Sequence, residues 1–106
     1  MINNNMLGLI GLAMKAGKVC FGADSVEENI VKRKVKLLII SKDSSERTKN
    51  KFVNICEKYN VPVIVDGDID TLSKTIGKSN KTVIGIKDVN FAESIQKKYN
   101  GGDVIG

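Results

Sequence analysis

The chain holds 106 residues, of which 42% are hydrophobic and 27% charged, a composition typical of one soluble globular domain. Its 17 Lys and Arg residues outnumber its 12 Asp and Glu residues, and the resulting net charge of +5 favours an anionic partner such as nucleic acid. The chain contains no histidine, which excludes catalysis by a Ser–His or Cys–His pair within it.

The two cysteines do not form a recognisable site. Cys20 and Cys56 are far apart in apolar segments, so we interpret both as buried side chains in a reducing compartment. Two cysteines without histidine are too few ligands for a metal site. The apolar segment Met1–Met14 lacks the features of a secretory signal, and no run of about 18 apolar residues follows. We expect a cytoplasmic protein without metal, cofactor, small-molecule substrate or membrane association.

The first 33 residues are predicted to form a helix, a short strand and a second helix. The helix Asn3–Lys15 begins at an asparagine cap and ends at Gly17, which suits the left-handed position after a helix. The strand Lys18–Phe21 and the helix Ala23–Arg33 follow. The apolar side chains expected on the buried face of this second helix are Val26, Ile30 and Val31.

The middle of the chain contains the clearest strand. Val35–Ser41 includes four consecutive large apolar residues, which indicates burial on both faces of a sheet. Asp43 is expected to cap the next helix, with Glu46 as its capping-box partner, and that helix runs to Tyr59. The side chains expected on its buried face are Phe52, Ile55, Cys56 and Tyr59.

The remaining predicted elements continue the alternation of strands and helices. They are a strand Val61–Val65, a short helix capped by Asp68 and closed by Gly77, a strand Thr82–Ile86, and a helix opened by Asn90 and Glu93. This order predicts an α/β fold, a three-layer α/β/α sandwich around a small four-stranded mixed sheet. We expect one domain over residues 1–100 and a flexible tail over residues 101–106.

Two short motifs resemble ligand-binding loops but lack required residues. Gly77–Ser79 ends like a phosphate-binding P-loop, yet Leu72 stands where that loop needs a glycine, and a helix precedes the segment. The alternating acids from Asp66 to Asp70 have the spacing of EF-hand ligands without the glycine and glutamate that complete such a loop. We interpret these segments as a basic turn and as helix-capping acids placed away from any RNA-binding face.

The residues around Gly22 suit an anion. Gly22 leads into a helix start, where unpaired backbone N–H groups and the helix dipole attract phosphate. Lys15 and Lys18 are close in sequence, and the turn Lys78–Lys81 lies beside them if the first and fourth strands meet at one end of the sheet. A concave basic surface of this kind suits bent RNA. A simple turn glycine beside a helix-start acid remains an open alternative.

Basic residues also cluster elsewhere in the chain. Lys32–Lys34 form one group with Lys36, and Arg47, Lys49 and Lys51 form another. Solvated faces and favourable charges at helix C-termini explain each of these groups about as well as a nucleic-acid site does.

Four segments, by their order and spacing, resemble the kink-turn-binding ribosomal-protein family (L7Ae-like), most closely its bacterial YlxQ-like branch. They are Leu9–Gly22 (LIGLAMKAGKVCFG), Lys36–Asp43 (KLLIISKD), Asn60–Val63 (NVPV) and Ile76–Lys78. The resemblance covers about Leu7–Ile95. It implies an α/β/α sandwich that binds kinked RNA through the start of its second helix and the turn before its last strand.

The family's helix-start motif is only partly present. Gly22 matches it, but Asp24 stands where asparagine is usual, Ser25 where glutamate is usual, and Glu28 where lysine is usual. Asp24 keeps acceptors for guanine and loses the amide donors, Ser25 is shorter, and Glu28 places a negative charge near phosphate. The resemblance therefore implies a weaker, altered or ribosome-dependent RNA contact.

The leading hypothesis is a non-catalytic protein that binds structured, kink-turn-like RNA, such as rRNA, and through it the ribosome. The residues predicted to bind RNA are Lys15, Lys18, Gly22, Asp24, Ser25, Lys78 and Lys81. The alternative is a protein-interaction module that kept the fold and lost RNA recognition. An enzyme acting on a small ligand ranks last, because no segment sets out a catalytic site.

Overall fold

The computed structural model describes residues 2–100, which form five helices and four strands. In chain order these are α1 (Asn4–Lys15), β1 (Val19–Phe21), α2 (Ala23–Val31), β2 (Leu37–Ile40), α3 (Glu46–Lys58), β3 (Val63–Val65), α4 (Ile69–Thr75), β4 (Val83–Ile86) and α5 (Val89–Tyr99). The predicted alternation of helices and strands is confirmed. The predicted tail, residues 101–106, lies outside the described residues.

The four strands form one mixed sheet in the order β1-β4-β2-β3. β4 is antiparallel to both β1 and β2, whereas β2 and β3 are parallel. At one end of the sheet, the lower end, Val19, Ile86 and Leu37 lie side by side. At the other, the upper end, β1, β2 and β3 finish and β4 begins at Val83. These two ends carry the basic side chains described below.

Helices cover both faces of this sheet. One face packs against α1, α4 and α5, and its buried side chains include Met6, Ile10, Leu72, Ile76 and Ile95. The other face packs against α2 and α3, and its buried side chains include Val26, Ile30, Phe52, Cys56 and Val61. All four residues of β2 are fully buried, as two-sided coverage requires. The predicted α/β/α sandwich is confirmed.

The cap predicted for α3 was wrong. Ser45 occupies that position, and its side chain accepts from the backbone N–H of Thr48 at 3.1 Å. Asp43 instead accepts from the backbone N–H of Ile69, at 3.1 Å to Oδ1, and so serves the start of α4. Glu46 pairs with Lys49 rather than reaching back to a cap. The carboxylate of Asp43 lies just before α3 but accepts a hydrogen bond from α4, at a residue 26 positions further along the chain.

Two further expectations about helix residues were wrong. The cap of α5 is Asp88, which accepts from the backbone N–H of Phe91 at 3.0 Å, and Asn90 lies within the helix. Val31, the last residue of α2, is 50% exposed and does not belong to the buried face formed by Val26 and Ile30. The caps Asn3 and Asp68 are confirmed.

Both cysteines are buried, as predicted, and both lie on the α2 and α3 side of the sheet. Burial raises the pKa of the Cys20 thiol and raises that of Cys56 to about 11. Cys20 lies opposite Gly85, where an added Cβ would stand 2.7 Å from the Cys20 sulfur.

Within residues 2–100, no three His, Cys, Asp or Glu side chains come together as a metal site. None of the helices in that range combines the length and the apolar character needed to cross a membrane.

Candidate nucleic-acid interface

The start of α2 and the turn between α4 and β4 meet at the upper end of the sheet. The backbone N–H of Gly22 donates to the carbonyl oxygen of Val83 at 3.2 Å. The ammonium groups of Lys78 and Lys81 lie 5.2 and 5.6 Å from the centroid of the Phe21 ring. We call the surface formed by Phe21, Gly22, the first turn of α2 and the turn Lys78–Lys81 the basic rim.

Gly22 fixes the direction in which α2 leaves β1. Its φ of 84° and ψ of 149° lie in a region that residues with a Cβ rarely occupy. Its carbonyl oxygen accepts from the N–H of Val26 at 3.0 Å, but among the described residues no side chain caps α2. The first backbone N–H groups of this helix therefore face outward without a side-chain acceptor, beside the exposed Asp24 and Ser25.

The two residues that depart most from the family pattern are engaged within α2. The side-chain amide of Asn29 donates to the carbonyl oxygen of Ser25 at 2.8 Å. Glu28 forms an ion pair with Lys32 at 3.4 Å, and both side chains are more than half exposed. Such an exposed pair contributes little stability, although it partly compensates the charge of Glu28.

The turn that carries the two rim lysines is fixed by a buried hydroxyl. Ser73 Oγ accepts from the backbone N–H of Lys81 at 2.9 Å and donates to its carbonyl oxygen at 3.3 Å. The N–H of Lys78 donates to the carbonyl oxygen of Ser73 at 2.8 Å. Gly77 and Asn80 adopt the left-handed conformation with φ of 70° and 56°, which reverses the chain between α4 and β4.

Five of the seven predicted residues belong to the basic rim, whereas Lys15 and Lys18 do not. Lys15 is exposed in the last turn of α1, where it lines a cavity of about 470 Å³ together with Lys74 and Gly77. Lys18 lies at the lower end of the sheet, and its carbonyl oxygen accepts from the N–H of Lys87 at 2.7 Å. The three residues of β1 separate it from Gly22.

Phe21 is not among the residues predicted from the sequence to bind RNA. This half-buried side chain packs against the core on the α1, α4 and α5 side, and two lysines lie over its ring. Contacts of this type hold a cation in place with roughly 0.5–1 kcal/mol at exposed sites. The available signal was an aromatic residue directly before Gly22 in a strand of three residues.

The acids from Asp66 to Asp70 lie beyond β3, two strands away from β4 in the sheet order. Asp68 accepts from the N–H of Thr71 at 2.7 Å and caps α4, as predicted. Acidic and basic groups therefore share the upper end of the sheet but occupy its opposite sides. Asp66, Asp68 and Asp70 therefore do not belong to the basic rim, in contrast to Asp24.

The chain is similar to several known proteins. Residues 4–96 match the family described as "Ribosomal protein L7Ae/L30e/S12e/Gadd45 family". A relative from Bacillus subtilis (strain 168), named RNA-binding protein YlxQ, is 33% identical over 87 residues, covering 82% of this chain and 87% of the relative. A protein of the same name from Enterococcus faecium is 35% identical over 95 residues, covering 90% and 91%.

Two solved structures share the fold. One, described as a protein with unknown function from Bacillus halodurans C, has a TM-score of 0.89 and 33% identity, covering 92% of this chain and 99% of that one. The Giardia lamblia 15.5kD RNA binding protein has a TM-score of 0.76 over 94% and 92% of the two chains, and at 20% identity it supports the fold alone. The resemblance detected in the sequence is confirmed: the chain belongs to the ribosomal protein L7Ae/L30e/S12e/Gadd45 family.

Proposed function

We propose that this protein is a non-catalytic RNA-binding protein that recognises kinked, structured RNA through its basic rim. Family membership and two relatives named as RNA-binding proteins support the general function. The observation that carries the specific proposal is the meeting of an uncapped helix start with a turn bearing two lysines, at Gly22 and Val83. We place its partner among rRNA or other structured RNAs, including the ribosome, in the cytoplasm.

Some groups of the basic rim position the RNA by contacting its phosphates, and others recognise its bases. Lys78 and Lys81 supply charge for phosphates, and Lys15 extends this charge along α1. The outward N–H groups at the start of α2 donate to phosphate or base oxygens. The Asp24 carboxylate accepts from guanine N1–H and N2–H, which are exposed where a kink unstacks the bases.

The departures at Ser25 and Glu28 make shape and phosphate contacts more important than base contacts. Ser25 offers one short hydroxyl, and Glu28 is partly compensated by Lys32. We therefore expect lower affinity than a site with the full family motif would give, together with strong salt dependence.

Binding of the purified protein to a consensus kink-turn RNA tests this proposal. The comparison RNA has its sheared G·A pairs replaced, and both are titrated across a salt series. Preference for the intact kink supports recognition by the basic rim. Equal, salt-sensitive binding to both RNAs contradicts kink recognition and leaves a general basic surface.

Substitutions that each remove one positive charge test whether the basic rim is the surface that binds RNA. Lys81→Gln should weaken binding to the intact kink and reduce the slope of log K against log salt by about 1. Lys97→Gln on α5 removes the same charge from an exposed site outside the basic rim and should leave binding nearly unchanged. Equal effects of the two substitutions would place the RNA elsewhere.

The identities of Ser25 and Glu28 favour a second candidate, a protein-interaction module that has lost RNA recognition. Capture of partners from lysate before and after ribonuclease treatment separates the candidates. Partners lost with the RNA support RNA binding, whereas a protein retained after treatment, together with no binding to either RNA, supports the alternative.

A further inference from the structure

A second group of cations lies at the lower end of the sheet. Lys18 precedes β1, Lys87 follows β4 and Lys36 precedes β2, so the three occupy neighbouring strands at one level. Two backbone hydrogen bonds of 2.7 Å align the three residues across the sheet. The N–H of Lys87 donates to the carbonyl oxygen of Lys18, and the N–H of Lys36 donates to that of Ile86. Since neighbouring strands lie about 4.8 Å apart, the three backbones form a row about 10 Å long.

The connection between α2 and β2 adds two more cations to this row. Arg33 adopts φ of 59°, an uncommon left-handed conformation, and its guanidinium lies over the Tyr59 ring, 5.2 Å from the centroid. The ammonium of Lys36 donates to the Arg33 carbonyl oxygen at 3.3 Å, and the N–H of Lys34 donates to the Asn29 carbonyl at 2.9 Å. These bonds tie the connection to the end of α2 and to the Lys36 side chain.

Five cations together line one open cavity of about 350 Å³, with Gly17 as the remaining lining residue. We call the surface formed by Lys18, Arg33, Lys34, Lys36 and Lys87 the lower patch. The ion pairs found within residues 2–100 involve Lys32, Lys49 and Lys51, none of which belongs to the lower patch. No acid lines the cavity, so no carboxylate within it offsets the mutual repulsion of these charges.

A purely structural explanation accounts for only part of the lower patch. Arg33 and Lys34 follow the C-terminus of α2, where positive charge interacts favourably with the helix dipole. Lys18 lies just beyond the C-terminus of α1 in the same way, since its N–H donates to the Ala13 carbonyl oxygen at 2.9 Å. Lys87 instead follows a strand, so the helix dipole does not explain why it lies between Lys18 and Lys36.

We propose that the lower patch binds a second stretch of RNA phosphate backbone, so that the protein bridges two RNA segments at opposite ends of its sheet. This rests on the proposed function, because it assumes that the basic rim holds RNA. The patch is open, four of its five cations are exposed and Lys87 is partly buried, and it offers no enclosed pocket for a small anion. Lys81 and Lys87 are six residues apart along β4, which sets the two surfaces about 20 Å apart.

The test compares paired charge removals on two RNAs. One RNA is a minimal kink-turn, and the other carries the same kink with a long duplex arm on each side. Lys36→Gln/Lys87→Gln should weaken binding to the extended RNA about tenfold and reduce its salt slope by about 2, while changing binding to the minimal kink less than about twofold. The control Lys97→Gln/Lys98→Gln removes equal charge from the end of α5 and should change neither.

The outcomes separate this inference from the proposed function. If the wild type prefers the intact kink but the paired variant behaves like the control on both RNAs, the lower patch proposal fails and the proposed function stands. If the wild type ignores the G·A pairs while the paired variant weakens binding to the extended RNA, kink recognition fails and the lower patch still binds RNA. Hydroxyl-radical footprinting should show two protected segments, and the paired variant should lose only the one away from the kink. A single protected segment overturns the bridge.

Discussion

Gly22 carries a backbone conformation that the first turn of α2 requires. An added Cβ would meet nothing within 4 Å, so the obstacle to a side chain is the φ of 84° alone. Gly8 offers a matched comparison, because a Cβ there also meets nothing within 4 Å, yet this glycine lies inside α1 and outside the positive-φ set. The two glycines thus separate conformational strain from steric contact.

Gly22→Ala should lower the free energy of unfolding by about 1–3 kcal/mol, because alanine rarely adopts this conformation. Gly8→Ala should raise it by about 0.5–1 kcal/mol, because alanine is the better helix former. Urea denaturation of both variants measures these changes. A loss of stability in both would mean that the strain at Gly22 is not the deciding effect.

Ser73 links the turn of the basic rim to α4 through two hydrogen bonds to Lys81. Ser73→Ala should lower the free energy of unfolding by about 1–3 kcal/mol, because it leaves the backbone groups of Lys81 partly buried without this partner. Ser79→Ala, in the exposed part of the same turn, should stay within about 0.5 kcal/mol of the wild type. Chemical denaturation of the pair checks the difference, and equal stabilities would contradict the role of Ser73.

At this scale the sequence predicts residue types better than residue neighbours. Gly22 was recognised because a glycine between a strand and a helix is a local signal. Lys18 was grouped with it wrongly in space, since Lys18 precedes β1 and Gly22 follows it, and an extended strand places its two ends apart. Phe21 was missed because its two lysines come from a turn about 60 residues further on.

At the scale of elements, α4 has only seven residues and depends on its N-terminal bonds. Asp68 accepts from the N–H of Thr71, and this backbone bond lowers the pKa of the Asp68 carboxyl below its ordinary value. Asp43 accepts from the N–H of Ile69, the first residue of the helix. Because α4 leads into the turn of the basic rim, these acids support the rim from the opposite end of the helix.

A lowered pKa in the folded state means that Asp68 contributes stability above the pKa of the unfolded chain. That contribution is lost as the pH falls through the folded pKa. Asp68→Asn should keep the cap and the denaturation midpoint at pH 7, and should lose less stability than the wild type between about pH 4 and pH 2. Denaturation curves across this range provide the measurement. Parallel losses in the two proteins would show that this cap does not contribute to acid sensitivity.

The elements themselves were predicted well because their signals are local. The continuous apolar run of β2 and the glycine after α1 each mark a boundary within a few residues. The caps of α3 and α5 were predicted wrongly because several polar residues precede each helix, and tertiary contacts decide among them. Asp43 shows this directly, since its partner Ile69 belongs to another helix.

At the scale of the whole molecule, the sheet divides the core into two buried clusters. Both cysteines belong to the cluster beneath α2 and α3. Thiol reagents reach them only after that side opens, so their reactivity reports on the opening of half the molecule. Cys56 is protected further, because burial raises the pKa of its thiol to about 11 and so lowers the fraction of reactive thiolate.

The rise from 9.0 to about 11 reduces the thiolate fraction of Cys56 at pH 8 about 100-fold. Both cysteines should therefore resist iodoacetamide in the native protein and react readily in urea. The same shift destabilises the fold as the pH rises from about 9 towards 11, where only the unfolded chain ionises this thiol. Mass spectrometry of the alkylated protein checks the first point, and fast native labelling at pH 8 would contradict it.

Gly85, at the centre of the sheet, and Cys20 on the neighbouring strand share one small volume. The sulfur of Cys20 occupies the space that a side chain at position 85 would need, and a methyl group of Val35 lies 3.2 Å from the same point. Neither position can therefore enlarge independently of the other. Related chains that carry a larger residue at the position of Gly85 should carry a smaller one at that of Cys20. Covariation between these two sites would record a packing constraint of the fold, separate from any selection on the surfaces proposed to bind RNA.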